Sequence, residues 1–182
     1  ATRNADMLRV LPDDLPGKAG LYRFAVDEGR DVFASQCASC HGADLKGSTI
    51  EGVPNLTDAD WLFGEGRIAQ IEQIVLYGIR ASSHRTKNLA DMPAFGREHP
   101  YARYAIDPLT REQMDDIANY IGKFQGRAAD PASLARGKAL FDLKGQCFDC
   151  HGADLVGDSF IGAPDLADNV WLYGDGSHDA IV

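Results

Sequence analysis

Cys37-Ala38-Ser39-Cys40-His41 and, 110 residues further on, Cys147-Phe148-Asp149-Cys150-His151 are the stretches that decide how this 182-residue chain is read. Two thiols at i and i+3 can both bond the vinyl groups of a haem through thioethers. The histidine that follows then lies under the iron, so one spacing serves attachment and ligation. The alternatives are a disulfide or half of a zinc site. Zinc would require a second Cys or His pair at matching spacing, which neither region has, and all four cysteines of the chain fall in these two motifs. Two covalently bound haems c are therefore expected, attached at Cys37, Cys40, Cys147 and Cys150, with His41 and His151 as proximal iron ligands.

The motifs are the core of an internal repeat. Residues 37–72 align with 147–182 without a gap, and 17 of the 36 positions are identical. The identities include the Gly-Ala-Asp-Leu after each histidine, then Gly47/Gly157, Gly52/Gly162, Pro54/Pro164, Leu56/Leu166, Trp61/Trp171 and Gly66/Gly176. Retention of Cys, His, Gly, Pro and Trp in register points to two copies of one site. Upstream, helix-like segments run over Asp27 to Ser35 and Ser133 to Leu143, with Gly29 and Phe33 echoed by Gly137 and Phe141; two extra residues separate the second segment from its motif.

Between the sites, Ile68, Ile71, Ile74 and Val75 form a helical stripe. Residues 80–104 are polar and irregular and hold Met92-Pro93. Thr110-x-x-Gln113 is a capping box that opens a helix running to about Phe124, with Met114, Ile117, Ala118 and Ile121 on one face. No segment alternates with period two, so the fold is expected to be all-α. The expected division is a first domain over 1–126 that includes an N-terminal arm, a linker over 127–131 and a second domain over 132–182. In the second, counterparts of the Met92 loop and the closing helix do not follow.

Eighteen basic against 27 acidic residues give a net charge of −9. The excess is shared, with 14 basic and 18 acidic residues through position 126 and 4 and 9 beyond it. This balance argues against a nucleic-acid or anionic-membrane surface and for partners with a basic face. No apolar run approaches the roughly 20 residues that span a bilayer. The chain opens on Ala1, as one cut by a signal peptidase would, or one divided just after a membrane anchor. Periplasmic location is expected, with membrane attachment only through a partner or an anchor outside this chain.

The helix leading into CxxCH, the loop that follows and the later helix make the chain resemble the class I c-type cytochromes, over nearly all of residues 20–126 and the first half of a domain in 132–182. The resemblance implies that a proline carbonyl, at Pro54 and Pro164, accepts the proximal imidazole N–H, fixing its tautomer; the plainer reading is a turn-shaping proline. It implies that Trp61 and Trp171 close the haem crevice, with an indole N–H for a propionate, although a core role suits tryptophan equally. It also implies an axial methionine in a loop between two helices, the place of Met92. Met7, Met114, His84 and His99 are the other candidates, Met114 lying on an apolar stripe and His84 the best competitor. No Met follows Cys147, and His178 reads as solvated. By the register of the repeat, the second site's distal ligand is expected about 20 residues beyond Val182.

A closer resemblance lies in Gly52-Val-Pro-Asn-Leu-Thr-Asp58, Trp61-Leu-Phe-Gly64, Tyr77-Gly-Ile-Arg80 and Met92-Pro-Ala-Phe-Gly96, with Gly162-Ala-Pro-Asp-Leu166 and Trp171-Leu-Tyr-Gly174 in the second copy. These are similar to the di-haem subunit of cbb-type haem-copper cytochrome c oxidases. That family has an N-terminal membrane anchor, which this chain does not show, and passes electrons from soluble donors toward the oxidase. Arg80 would pair with a propionate, or else compensate a helix dipole. The resemblance implies an electron relay between a donor dehydrogenase or cytochrome and an acceptor oxidase or reductase, with no catalysis of its own. The alternative is a haem enzyme, a di-haem peroxidase or thiosulfate-oxidising cytochrome, using an open second haem. A gas sensor would need an output domain, and none is present.

Overall fold

The computed structural model describes residues 2–97 and 107–182. Packing divides the chain into two units, one ending at Lys87 and the other beginning at Asn88. Among the described residues the regular structure is helical, and β pairing is confined to isolated bridges.

In the first unit, α1 (Thr2–Met7) and a 3-10 turn (Pro12–Gly17) precede α2 (Ala19–Gln36). The turn also serves α4 (Ile68–Tyr77): the Asp13 carboxylate accepts from Ala69 N at 2.9 Å, placing a negative charge on the helix's positive end. Gln70 reaches back from the third helical position to the amides of Glu65 and Arg67, at 2.8 and 3.2 Å. Between α2 and α4 lies the short α3 (Ala38–His41) and a long loop. Among the unit's described residues only Phe63 is buried.

The second unit is built on α5 (Arg111–Phe124) and α6 (Pro131–Ala139). Thr110 caps α5, its hydroxyl accepting from Gln113 N at 3.2 Å while the Gln113 side chain accepts from Thr110 N at 3.0 Å. The connection between α5 and α6, which spans the expected linker, is a tight turn. Gly126, at φ 78°, lets Arg127 N return to the Gly122 carbonyl at 2.8 Å, and Asp130 then caps α6 through Ser133 N at 3.0 Å. The packing boundary lies at 87/88, and the apolar face of α5 packs on α6. At their closest approach, a Cβ added to Gly137 would stand 2.0 Å from the Asp116 carbonyl oxygen.

Ile117, Tyr120 and Ile121 of α5 form one core with Leu109, Phe141 and Leu155. Beside it, the buried Asp116 carboxylate takes Arg136 in a two-pronged ion pair, at 2.7 and 2.8 Å, and the Ser133 hydroxyl at 2.6 Å. These donors hold the Asp116 carboxyl below its usual range, the Arg136 hydrogen bonds most of all.

The two extra residues before the second motif appear as a π-helical turn over Leu140–Lys144. In the first copy Cys37 N bonds the Phe33 carbonyl at 2.9 Å; in the second, Cys147 N bonds the carbonyl of the equivalent residue, Phe141, at 3.0 Å. The insertion is looped out so that both motifs start from the same anchor, a common use of π turns beside functional positions. Within the second motif lies α7 (Phe148–His151), and α8 (His178–Ile181) completes the described helices.

Candidate functional sites

Each motif folds as one helical turn. His41 N bonds the Cys37 carbonyl at 3.0 Å and His151 N bonds that of Cys147 at 2.9 Å. The turn carries the two thiols and the imidazole in close succession, and none of the four cysteines is in a disulfide. Gly42 and Gly152, at φ 76° and 73°, stop the helix immediately after the histidine.

The loop that follows is built twice with the same bonds. Gly47 N and Gly157 N reach back to the histidine carbonyls at 2.9 and 3.0 Å. Leu45 and Leu155 take left-handed backbone, at φ 63° and 64°, so that their carbonyls accept from Leu56 N and Leu166 N at 2.8 and 2.7 Å. Bridges Ser48 to Val53 and Asp158 to Ala163 close the loop. The glycine is required here: a Cβ on Gly47 or Gly157 would lie 2.2 or 2.3 Å from the carbonyl oxygen of Val53 or Ala163.

The product of this construction is a carbonyl aimed at the ring. His41 Nδ1–H donates to the Pro54 carbonyl at 3.2 Å and His151 Nδ1–H to that of Pro164 at 3.0 Å. Since a carbonyl can only accept, the proton sits on Nδ1 and the Nε2 lone pair is left for a metal.

The two copies differ in burial. His151 is 6% exposed, and desolvation pulls its pKa below the ordinary value, the Pro164 bond opposing this in part; His41 is half-buried. Burial pushes the Cys147 thiol up to about 11, and it raises Cys150 as well, with help from Asp149 and Asp158. The second site thus presents neutral thiols and a neutral imidazole. Among the described residues, no group of three or more His, Cys, Asp or Glu side chains is arranged to hold a metal ion. Paired free thiols beside an imidazole pinned at Nδ1 fit haem c, in which the porphyrin supplies the remaining iron donors.

Trp61 and Trp171 lie against backbone, a Cβ on Gly66 or Gly176 falling 2.5 or 2.1 Å from the indole Nε1. Trp171 also packs on the second unit's core, together with Cys147, Leu166 and Met114. Met92 belongs to the second unit and is 73% exposed. Arg80 is exposed with left-handed backbone, at φ 51°; His84 is exposed and Met7 half-buried. His99 lies outside the described residues. His178 is half-exposed, 3.7 Å from Asp115. Sequence reasoning missed Arg127: its Nη1 donates to the Gly176 carbonyl at 2.6 Å, while Nη2 is buried with no hydrogen-bond partner among the described residues. A lone basic residue in a presumed linker carries no signal of this.

The helical fold, with a thiol pair and a pinned imidazole at the end of a helix, defines a c-type cytochrome, and the chain belongs to the cytochrome c family, whose pattern it matches over residues 26–125. More particularly, it is similar to the cbb3-type cytochrome c oxidase subunit FixP of Sinorhizobium medicae, at 38% identity over 162 residues, 89% of this chain and 51% of the relative. FixP of Rhizobium meliloti is 37% identical over the same shares of the two chains. The subunit CcoP of Cereibacter sphaeroides is 34% identical over 171 residues, 94% of this chain and 53% of the relative. The chain thus spans about half the length of the curated relatives it matches. Among the described residues no helix is long and apolar enough to cross a membrane.

Proposed function

We propose that this chain is the two-haem portion of an electron-relay subunit in the periplasm, passing single electrons from a donor dehydrogenase or cytochrome toward a terminal oxidase or reductase. The observation that carries this reading is the duplicated loop in which a proline carbonyl holds Nδ1–H of the motif histidine. Membrane attachment would come through the oxidase complex or an anchor outside this stretch.

Haem c, when bound, supplies a one-electron Fe(III)/Fe(II) couple. Cys37 and Cys40 hold one haem and Cys147 and Cys150 the other, with His41 and His151 as proximal ligands through Nε2. The bonds to Pro54 and Pro164 keep each ring in one orientation and one tautomer, so that the iron environment need not rearrange as charge changes. Met92 is the distal ligand of the first haem. Trp61, Trp171 and Arg80 border the propionates. In sequence, the haem domains are 1–126 and 132–182 on either side of 127–131, although α5 packs on the helix of the second.

The test is spectroscopic. The loaded full-length protein should hold two haems in this region, both low-spin and neither binding carbon monoxide. Met92→Ala should remove the sulfur-to-iron charge-transfer band of the first haem and lower its potential, because a thioether favours Fe(II). A high-spin haem in the unaltered protein that binds carbon monoxide or peroxide overturns the relay.

A further inference from the structure

We propose that Arg127 is a positioning residue for the second haem, its guanidinium receiving a propionate carboxylate. The proposal rests on the two-haem reading above.

Arg127 is set by the end of α5. The positive φ of Gly126 turns the chain so that Arg127 N bonds the Gly122 carbonyl at 2.8 Å, and the side chain then runs back across Gly122. A Cβ on Gly122 would lie 2.5 Å from Arg127 Nε, so this path exists only because position 122 has no side chain. At the far end Nη1 is tied to the Gly176 carbonyl at 2.6 Å, which leaves little freedom to the fork. Nη2, the other arm, is buried without a partner among the described residues. A buried guanidinium N–H left unpaired is costly, because it loses water and gains nothing in return.

The surroundings identify what would pair it. Gly176 is also the residue against which Trp171 Nε1 lies, and Trp171 packs, as Cys147 does, on the core that includes Leu155 of the second motif region. An indole N–H and a guanidinium N–H therefore converge on one backbone position, Gly176, in the unit that carries the second thiol pair. Two donors fixed in place, one of them cationic, make a receptor for a carboxylate, and guanidinium is the side chain best matched to it. Asp175 is the nearby acid, and Arg127 is among the groups that lower its pKa; it is engaged by Ser177, whose amide it accepts at 3.0 Å.

Arg127→Gln, Arg127→Lys and the unaltered full chain should be compared as holoproteins by haem count, potentiometric titration from pH 5 to 9 and thermal unfolding. Loss of the cation favours the ferric state, so in Arg127→Gln one of the two midpoint potentials should fall and acquire a pH-dependent step, as the propionate loses the charge that keeps it ionised. The other potential should not move. Arg127→Lys should restore most of the potential, since it keeps the charge. If Arg127→Gln lowers the melting temperature yet leaves both potentials and their pH profiles unchanged, Arg127 only ties Gly176, and the proposal is overturned with the two-haem reading intact. A single haem per chain in the unaltered protein overturns that reading, and the proposal with it.

Discussion

Gly29 and Gly137 occupy equivalent positions of the two repeats, and the same substitution should act on them with opposite sign. In Gly137→Ala the new methyl would stand 2.0 Å from the Asp116 carbonyl oxygen and 2.9 Å from Tyr120 Cβ. The obstacle is backbone, so relief requires α5 and α6 to move apart. That movement also lengthens the Arg136 bonds to Asp116, now 2.7 and 2.8 Å. Overpacking of this kind costs about 1–3 kcal/mol, more than the 0.5–1 kcal/mol or so that alanine gains over glycine inside a helix. At Gly29, within α2, an added Cβ meets nothing within 4 Å among the described residues. There only the helical gain remains, and Gly29→Ala should stabilise by about 0.5–1 kcal/mol. For a unit of this size, 1 kcal/mol moves a melting temperature by about 4–8 °C. Thermal unfolding of both holoproteins, followed by far-ultraviolet circular dichroism and by haem absorbance, reads the two changes. If Gly29→Ala destabilises as much as Gly137→Ala, the Gly29 face is as closely covered as the Gly137 face, and the reasoning fails.

Other substitutions follow from the same geometry. Asp116 has a folded pKa below its unfolded value, so its contribution is fully present above about pH 4 and is lost as pH falls through the lowered folded value. Asp116→Asn should therefore cost about 2 kcal/mol at neutral pH, and urea melts of variant and parent should converge as pH falls through the lowered folded value. Gly157→Ala forces a side chain onto φ 75° and to 2.3 Å from the Ala163 carbonyl oxygen. It should destabilise the loop bearing Pro164 by roughly 2 kcal/mol or more, seen as a reduced haem yield at the second motif. Deleting Gly145 and Gln146 should replace the π turn with the direct helical entry of the first copy and relieve the left-handed Gln146, at φ 51°; haem attachment at Cys147 and Cys150 should survive, and its loss would show that the π turn is required.

Legibility in the sequence followed the range of the interaction. The Thr110 capping box, the α4 stripe and the doubled CxxCH loop are set by residues close in sequence, and spacing alone marks them. The start of α2 was less visible: the expected helix began at Asp27, whereas it begins at Ala19, because Gly20 weakens the helical signal of the first turns. The packing of α5 on α6 was not legible at all. Gly29 and Gly137 look alike as letters, and what distinguishes them is the Asp116 carbonyl, brought against Gly137 by the packing of α5 on α6. Arg127 was missed for the same reason, since its significance lies in Gly122 and Gly176.

A local motif repeated faithfully can still yield two different sites. The bonds around His41 and His151 are the same in kind and nearly the same in length, yet Leu155 is fully buried where Leu45 is half-exposed, and His151 is buried where His41 is not. The loop fixes ligand geometry; long-range packing fixes the dielectric around it. Burial disfavours the state with more net positive charge, so the second iron should resist oxidation more strongly than the first. Arg127, a cation nearby, would act in the same direction. Potentiometry on Cys37→Ala/Cys40→Ala and Cys147→Ala/Cys150→Ala chains, each holding one haem, should place the second site at the higher potential if its distal ligand matches the first. With matched distal ligands, equal or inverted potentials would mean that the burial difference does not govern the couple and that the loop geometry alone sets it.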